Sequence, residues 1–402
     1  MAQINTLFVL SLMAVFTSSP PTATASPSSI TLSSQCPPSF VKVKNACKLQ
    51  THYLQYASLQ NIGVGGLKTG LPKYRDGFSA EQIDLGRYLF FDPILSKDNT
   101  VSCASCHVPE LGFSDGKERS TGINNQALPR NAPSLWNVGF QSKFFWDGRA
   151  NSLEAQAQGP LYDSHEMGST RESLLAKMNA QTQYRRLFAA AFPDSKNGLR
   201  LDHIYNAIAA FESSLISLNS RYDLYAQGYH DALNQNEIKG MNVFRSFVAR
   251  CAECHTPPLF TNQQIAVIGV PNAKGMAFDV GSEKISNEPT QRGGFKVPSL
   301  RNVALTAPYA HAGQFGSLHE AVEFYNKGRG HAVPKGEKLT LHWHIWEPKL
   351  TAIEINQLVA FLGTLTDESF RPATPKTLPS GLKIKSSTAK NIDKSSTLKG
   401  SP

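Results

Sequence analysis

Cys103-Ala104-Ser105-Cys106-His107 decides how this chain is read, and it has an echo at Cys251-Ala252-Glu253-Cys254-His255. Cys-x-x-Cys-His is the attachment signature of a c-type haem. The paired thiols form thioethers to the haem vinyl groups, and the adjacent histidine reaches the iron as proximal ligand. One match alone is a weak signal, because half of a zinc site looks the same. Here both matches are followed by one phrase: Ala132-Pro133-Ser134-Leu135-Trp136-Asn137-Val138 after the first, Val297-Pro298-Ser299-Leu300-Arg301-Asn302-Val303 after the second. A phrase repeated at matching positions is an internal duplication. The chain therefore reads as two tandem haem-bearing units.

At 402 residues there is room for two cores. The net charge of +9 suggests an anionic partner until it is located: from Arg371 onward seven Lys or Arg face one acid, Asp393, so +6 of it lies in a Ser/Thr/Pro/Lys-rich tail. That composition predicts disorder for 371–402. The nearly neutral body gives a nucleic-acid function no support. Thr6 to Phe16 is an apolar run of signal-peptide length, and Ala23-Thr24-Ala25 offers a cleavage site, although no Lys or Arg precedes the run. The reading is a signal peptide at 1–25, a periplasmic or surface-associated product, and no integral membrane span after cleavage. Four of six cysteines are taken by haem. Cys36 and Cys47 remain, and in an oxidising compartment a disulfide is the simple reading, with free thiols or a metal site as alternatives.

Residues 26–78 read as an extension without periodicity. Ser79-Ala80-Glu81-Gln82 is a capping box opening a helix to Tyr88 or Phe90, stopped by Asp92-Pro93. Helical patterns follow at 171–191, 202–217 and from Glu237 to Phe247. Ser317-Leu318-His319-Glu320 and Thr351-Ala352-Ile353-Glu354 are further capping boxes. Leu318, Val322 and Tyr325 share one face of the helix after Ser317. No stretch shows sustained strand alternation, so the fold class is mainly α: two cytochrome c-like domains, 79–230 and 231–370.

From about Ser79 to Thr366 the chain resembles the bacterial di-haem cytochrome c peroxidases and their MauG-like relatives. The resemblance is carried by Leu85-Gly86-Arg87 through Asp92-Pro93, both haem motifs, Arg130-Asn131-Ala132-Pro133, Trp146-Asp147-Gly148-Arg149, Leu300-Arg301-Asn302-Val303, Thr306-Ala307-Pro308-Tyr309 and His311-Ala312-Gly313. It implies two covalently bound haems c facing the domain interface, with His107 and His255 as proximal ligands and Cys103, Cys106, Cys251 and Cys254 as attachment points. Gln156 and Glu166 would stand in the distal pocket of the first haem. A carboxylate there can move the proton that heterolytic O–O cleavage requires. By themselves these two residues read as a helix amide and a solvated loop acid.

Where related peroxidases place an iron-plugging histidine, this chain has Gly122-Ile123, and isoleucine cannot ligate iron; His165 is the nearest histidine a shifted loop could supply. The second haem's methionine position corresponds to Tyr325, and no methionine follows Met276. The helical period equally allows Tyr325 as a core residue. As a ligand, phenolate favours ferric and higher states, the condition in which MauG stores an oxidising equivalent as Fe(IV). Trp146 matches the family's inter-haem tryptophan. Asn131, with the Thr306 and Pro308 carbonyls, matches its calcium site, and oxygen donors suit that cation. Pro133 and Pro298 would cover the proximal sides, and His311 would serve a propionate or domain contact. Trp343 and Trp346 read better as packing than as surface relays.

The resemblance thus implies a MauG-like oxidoreductase in which hydrogen peroxide drives the di-haem pair to a high-valent state that oxidises a partner protein, with tryptophan as target. The alternative is a peroxidase reducing peroxide with electrons from a small cytochrome c or cupredoxin. A pure electron carrier is disfavoured by the open first site, and a zinc protein by the histidine after each Cys-x-x-Cys.

Overall fold

Helices paired at a glycine frame each Cys-x-x-Cys-His turn. The computed structural model describes residues 30–55, 70–195 and 198–384; the expected signal peptide and the tail from Lys385 lie outside them. First comes a hairpin, β1 (Phe40–Val43) antiparallel to β2 (Ala46–Leu49), tied by a Cys36–Cys47 disulfide. Helices α1 (Ala80–Phe91), α2 (Leu153–Tyr162), α3 (Arg171–Ala180), α4 (Thr182–Ala191), α5 (Leu201–Ser213), α6 (Arg221–Ala226) and α7 (Gln235–Phe244) follow. A second antiparallel pair, β3 (Ile265–Val267) and β4 (Gly294–Lys296), precedes α8 (Leu318–Lys327) and α9 (Ala352–Gly363). The chain is mainly helical. Its strands are too short to leave an alternation in the sequence.

The capping boxes at Ser79 and Thr351 form as expected, each with reciprocal side-chain bonds. At α8 only half does. Ser317 accepts from the Glu320 N–H, but Glu320 accepts from the Gly316 N–H at 2.6 Å instead of from Ser317. The expected helix 171–191 is two helices, broken where Gln181 turns extended (φ −86°, ψ 105°). Neither Gly nor Pro marks that break. The expected helix 202–217 stops at Ser213, and Ser217 instead exchanges two hydrogen bonds with the Asn137 amide at 2.8 and 2.9 Å.

Gly86 of α1 lies so close to α5 that a Cβ would fall 1.8 Å from the Ala207 carbonyl oxygen; Gly240 of α7 stands likewise 1.9 Å from the Gln357 oxygen of α9. Only glycine lets backbones approach so closely. Each crossing supports its own core. The first gathers Phe90, Phe113, Trp136 and Phe211 with Leu378; the second gathers Phe244, Phe260, Phe361 and Val322. Each buried phenylalanine contributes about 1.5–3 kcal/mol. Leu378 corrects the expected disorder from Arg371: it is buried, and Ser380 donates to Asp92 at 2.8 Å. Two apolar residues, Leu378 and Ile384, and the Ser380 hydroxyl are enough to dock residues that composition alone places in the tail.

The repeated phrase is built the same way twice. Asn137 and Asn302 both take left-handed backbone (φ 60° and 57°), a region asparagine tolerates better than most residues. Ser134 donates to the Gly112 carbonyl at 2.7 Å, and Ser299 to the Leu259 carbonyl at 2.6 Å. The variable slot differs. Trp136 meets Phe113 edge-on at 5.1 Å, whereas Arg301 lies 5.3 Å over the Phe260 ring. The Arg301 guanidinium is wholly buried, binds both Asp223 oxygens at 2.5 and 2.7 Å, and Tyr53 adds a 2.5 Å bond to that carboxylate. The extension without periodicity thus reaches the core: Tyr53 packs with Phe140, Ile216, Leu218 and Leu259. The described residues from Thr31 onward form one compact unit.

Candidate active site

At the first motif, His107 Nδ1–H donates to the Phe113 carbonyl at 2.8 Å; at the second, His255 Nδ1–H reaches the Phe260 and Pro298 carbonyls at 3.1 and 3.2 Å. This fixes the tautomer and leaves Nε2 bare for a metal. Burial holds both imidazoles below the usual histidine range, His255 at about 4. Phe113 and Phe260 were not singled out by the sequence reading. The signal was there: both follow the motif histidine in a His-x-Pro phrase, and both have positive φ.

Glu166 sits in the turn after α2, half-buried. Its carbonyl accepts from the Ile123 N–H at 2.9 Å, and its own N–H donates to Asp163 at 3.1 Å. Burial raises its carboxyl above the usual range, Asp163 adds to this, and Arg149 opposes it. It lies near enough to Cys106 to help raise that thiol, which burial, Asp115 and Glu166 together push to about 11. A Cβ on Gly122 would meet the His165 carbonyl oxygen at 1.8 Å, so the loop expected to lack an iron-plugging histidine is pressed against the loop bearing Glu166. Ile123 is buried, whereas His165 is exposed and 3.4 Å from Asp163. Gln156 is half-buried on α2, and its side chain makes no hydrogen bond among the described residues.

Between the motifs, Trp146 Nε1–H donates to the Asn131 carbonyl at 3.0 Å, and the Trp146 carbonyl accepts from Lys296 N–H at 2.7 Å. Asp147 and Asp279 bind Arg130 at 2.7 Å each, and Asp147 also takes Arg149. The Asn131 amide stands 3.2 Å from both the Lys117 and Pro308 carbonyls, while Thr306 lines the cavity described next. His311 stacks on Phe295 at 4.0 Å, and burial pushes its imidazole down to about 4.

The second motif opens on a cavity of about 270 Å³ with mostly apolar walls, lined by Cys251, Cys254 and His255 on one side and Tyr325 on another. Tyr325 is 39 % exposed, but into this cavity; burial drives its phenol upward, with the two cysteines adding to the shift. Among the described lining residues there is no Asp, Glu or Met, and the only Lys or Arg are Arg250 and Lys296. Among the described residues Lys296 has no acid partner. It donates to Gln141 at 2.8 Å, and burial lowers it to about 8. An apolar chamber with thiols, a bare imidazole nitrogen and a lone ammonium fits a haem, whose macrocycle is apolar and whose propionates are anionic.

If Lys296 neutralises a propionate, Lys296→Met will lower the second haem's reduction potential by on the order of 50 mV, about 1 kcal/mol of lost attraction. Losing a cation favours the ferric form, which carries the extra positive charge. A redox titration followed by absorbance measures this, and an unmoved potential removes Lys296 from that role.

This arrangement defines a haem peroxidase-type oxidoreductase. A family profile described as di-haem cytochrome c peroxidase matches residues 80–231. The methylamine utilization protein MauG of Methylorubrum extorquens is 36 % identical over 291 residues, 72 % of this chain and 79 % of MauG. Cytochrome c551 peroxidase of Nitrosomonas europaea is 36 % identical over 293 residues, 72 % of this chain and 81 % of that protein. The crystal structure of a MauG-like protein associated with microbial copper homeostasis superposes with a TM-score of 0.67 at 35 % identity, covering 73 % of this chain and 91 % of that one. The chain belongs to the di-haem cytochrome c peroxidase and MauG family.

Proposed function

We propose that this enzyme uses hydrogen peroxide to oxidise residues of a partner protein, with tryptophan as target, in the manner of MauG. The observation that carries the reading is Tyr325, which faces the cavity of Cys251, Cys254 and His255, a cavity that no described methionine lines. When bound, the haem pair supplies the two-electron oxidation chemistry driven by peroxide. Everything else falls to the chain. His107 and His255 would hold the two irons through their free ring nitrogens, and the Tyr325 phenol would be a further ligand to the second. Burial holds the Tyr325 phenol protonated, and a ferric ion bound beside it would favour the phenolate. Ile123, which cannot ligate iron, would leave room for peroxide at the first haem, where Glu166 would take a proton from one oxygen and return it to the other, with Gln156 orienting the substrate.

Two tandem cytochrome c-like domains, 79–230 and 231–370, would face their haems toward the seam, with Trp146 between them as the electron path. The Asn131 amide, which can turn its oxygen inward, would hold calcium with the Thr306 and Pro308 carbonyls. The apolar run at Thr6–Phe16 supports export to the periplasm. Among the described residues no helix is long and apolar enough to cross a membrane.

Tyr325→Met tests the assignment. A thioether favours ferrous iron, so the second haem's potential should rise by on the order of 100 mV or more, over 2 kcal/mol at 59 mV per tenfold. The low-spin ferric signal of that haem in electron paramagnetic resonance should change with it. A spectrum and potential that stay put would make Tyr325 a wall of the cavity only. A second reading, peroxide removal fed by a small cytochrome c or cupredoxin, is supported by the equal identity to cytochrome c551 peroxidase. Two low-spin haems that ignore peroxide until reduced would favour it.

A further inference from the structure

The mouth of the second cavity carries an aromatic cluster for which packing gives no account. Trp343 is 72 % exposed, which overturns the expectation that it is a packing residue. Its ring centroid lies 3.5 Å from that of His344, a cavity-lining residue. Trp346 also lines the cavity, yet is 38 % exposed, and its Nε1–H donates to the Val248 carbonyl at 2.9 Å. Arg250, likewise in the lining, stands 4.9 Å from the centre of the Trp346 ring and 5.5 Å from that of Trp343. Phe247, whose carbonyl accepts from Arg250, is 81 % exposed. Single exposed apolar residues need no explanation, but several large ones around one mouth mark an interaction site. Tryptophan and arginine are also the residues that dominate binding energy at protein interfaces.

We propose that Trp343 is the outlet through which this enzyme oxidises a protein-sized donor, with Trp346 and Arg250 linking it to the second cavity. The proposal rests on the function argued above and names the place where the partner engages. The partner fitted to it is a protein presenting an oxidisable phenol or indole in an apolar setting. Trp343 gives one electron to the peroxide-oxidised haem pair and its indole N–H proton to water. Arg250 disfavours a second positive charge beside it, so the proton leaves with the electron. The donor side chain then returns one electron and one proton to Trp343. Two such events balance the two-electron reduction of one peroxide. Trp346 is less suited to be the terminus, because its N–H is engaged by Val248.

The test uses the full-length holoprotein, wild type and Trp343→Phe, with ferrous cytochrome c as protein-sized donor. The variant should retain both haems and show the wild-type absorbance change with peroxide. It should oxidise cytochrome c at least about tenfold more slowly, a barrier increase of about 1.4 kcal/mol. Without any donor, wild-type Trp343 should gain one or two oxygen atoms on peroxide treatment, read by peptide mass spectrometry. Equal rates of cytochrome c oxidation, or an unmodified Trp343 in a protein whose haems do react, overturn the proposal and leave the proposed function standing. Haems that do not react with peroxide would overturn both.

Discussion

Glu166→Gln should leave both haems attached and slow peroxide cleavage by on the order of 10²- to 10⁴-fold, the range that a positioned proton-transfer group supplies. Glutamine keeps the size of the side chain and can still donate a hydrogen bond, but it cannot accept the proton that must move between the two oxygens. The backbone of residue 166 is fixed from both sides, by Ile123 and Asp163, so the exchange should not displace the loop. The pH profile carries a second signature. Burial raises the Glu166 carboxyl above its ordinary range, so in the wild type the accepting carboxylate is present above that raised value and is lost as pH falls through it. The wild-type rate should drop on that acidic side, and the variant should show no such limb. Stopped-flow absorbance of the resting protein against peroxide measures both. A variant as fast as wild type would strip Glu166 of its role.

Arg301→Met is expected to be the most destabilising of the changes considered, by about 3–5 kcal/mol. Methionine fills much the same space but leaves the Asp223 carboxylate buried against Tyr53 and Ser220 without its cation. Removing one partner of a buried pair strands the other charge in a poor solvent, which costs more than the pair contributes. Adding Asp223→Asn should recover at least about 1 kcal/mol, as coupled neighbours do. Urea unfolding of the three proteins reads the cycle. Stability unchanged in the single variant, or no recovery in the double, would mean that the pair is not what holds this region.

What could be read from the sequence follows from which signals are local. Cys-x-x-Cys-His, the capping boxes at Ser79 and Thr351 and the duplicated Pro-Ser-Leu phrase lie in contiguous residues, and each is visible as a string. The break at Gln181 was not legible, because no residue there prefers a break. The early end of α5 depends on Asn137, far away in sequence, claiming Ser217. Leu378 reads as tail because composition averages over a window, whereas docking needs only a few side chains and a waiting core. At the site, Tyr325 could be placed on an apolar helix face, but only the fold shows that this face opens on the cavity of Cys251 and Cys254. The exposure of Trp343 is likewise a property of the folded rim.

The slot shared by Trp136 and Arg301 has a bearing on how the two halves can be separated. The first half fills it with a neutral ring and closes its core from its own residues, together with Leu378. The second fills it with a charge whose neutralisation draws on Asp223 of α6 and on Tyr53 of the extension. Duplication therefore did not leave interchangeable modules. A second half excised at residue 231 would carry an orphaned guanidinium, and a chain begun at Ser79 would lose the phenol that helps hold its counter-ion. A self-sufficient version of this enzyme therefore reaches back at least to Tyr53, before the first residue that the family profile matches.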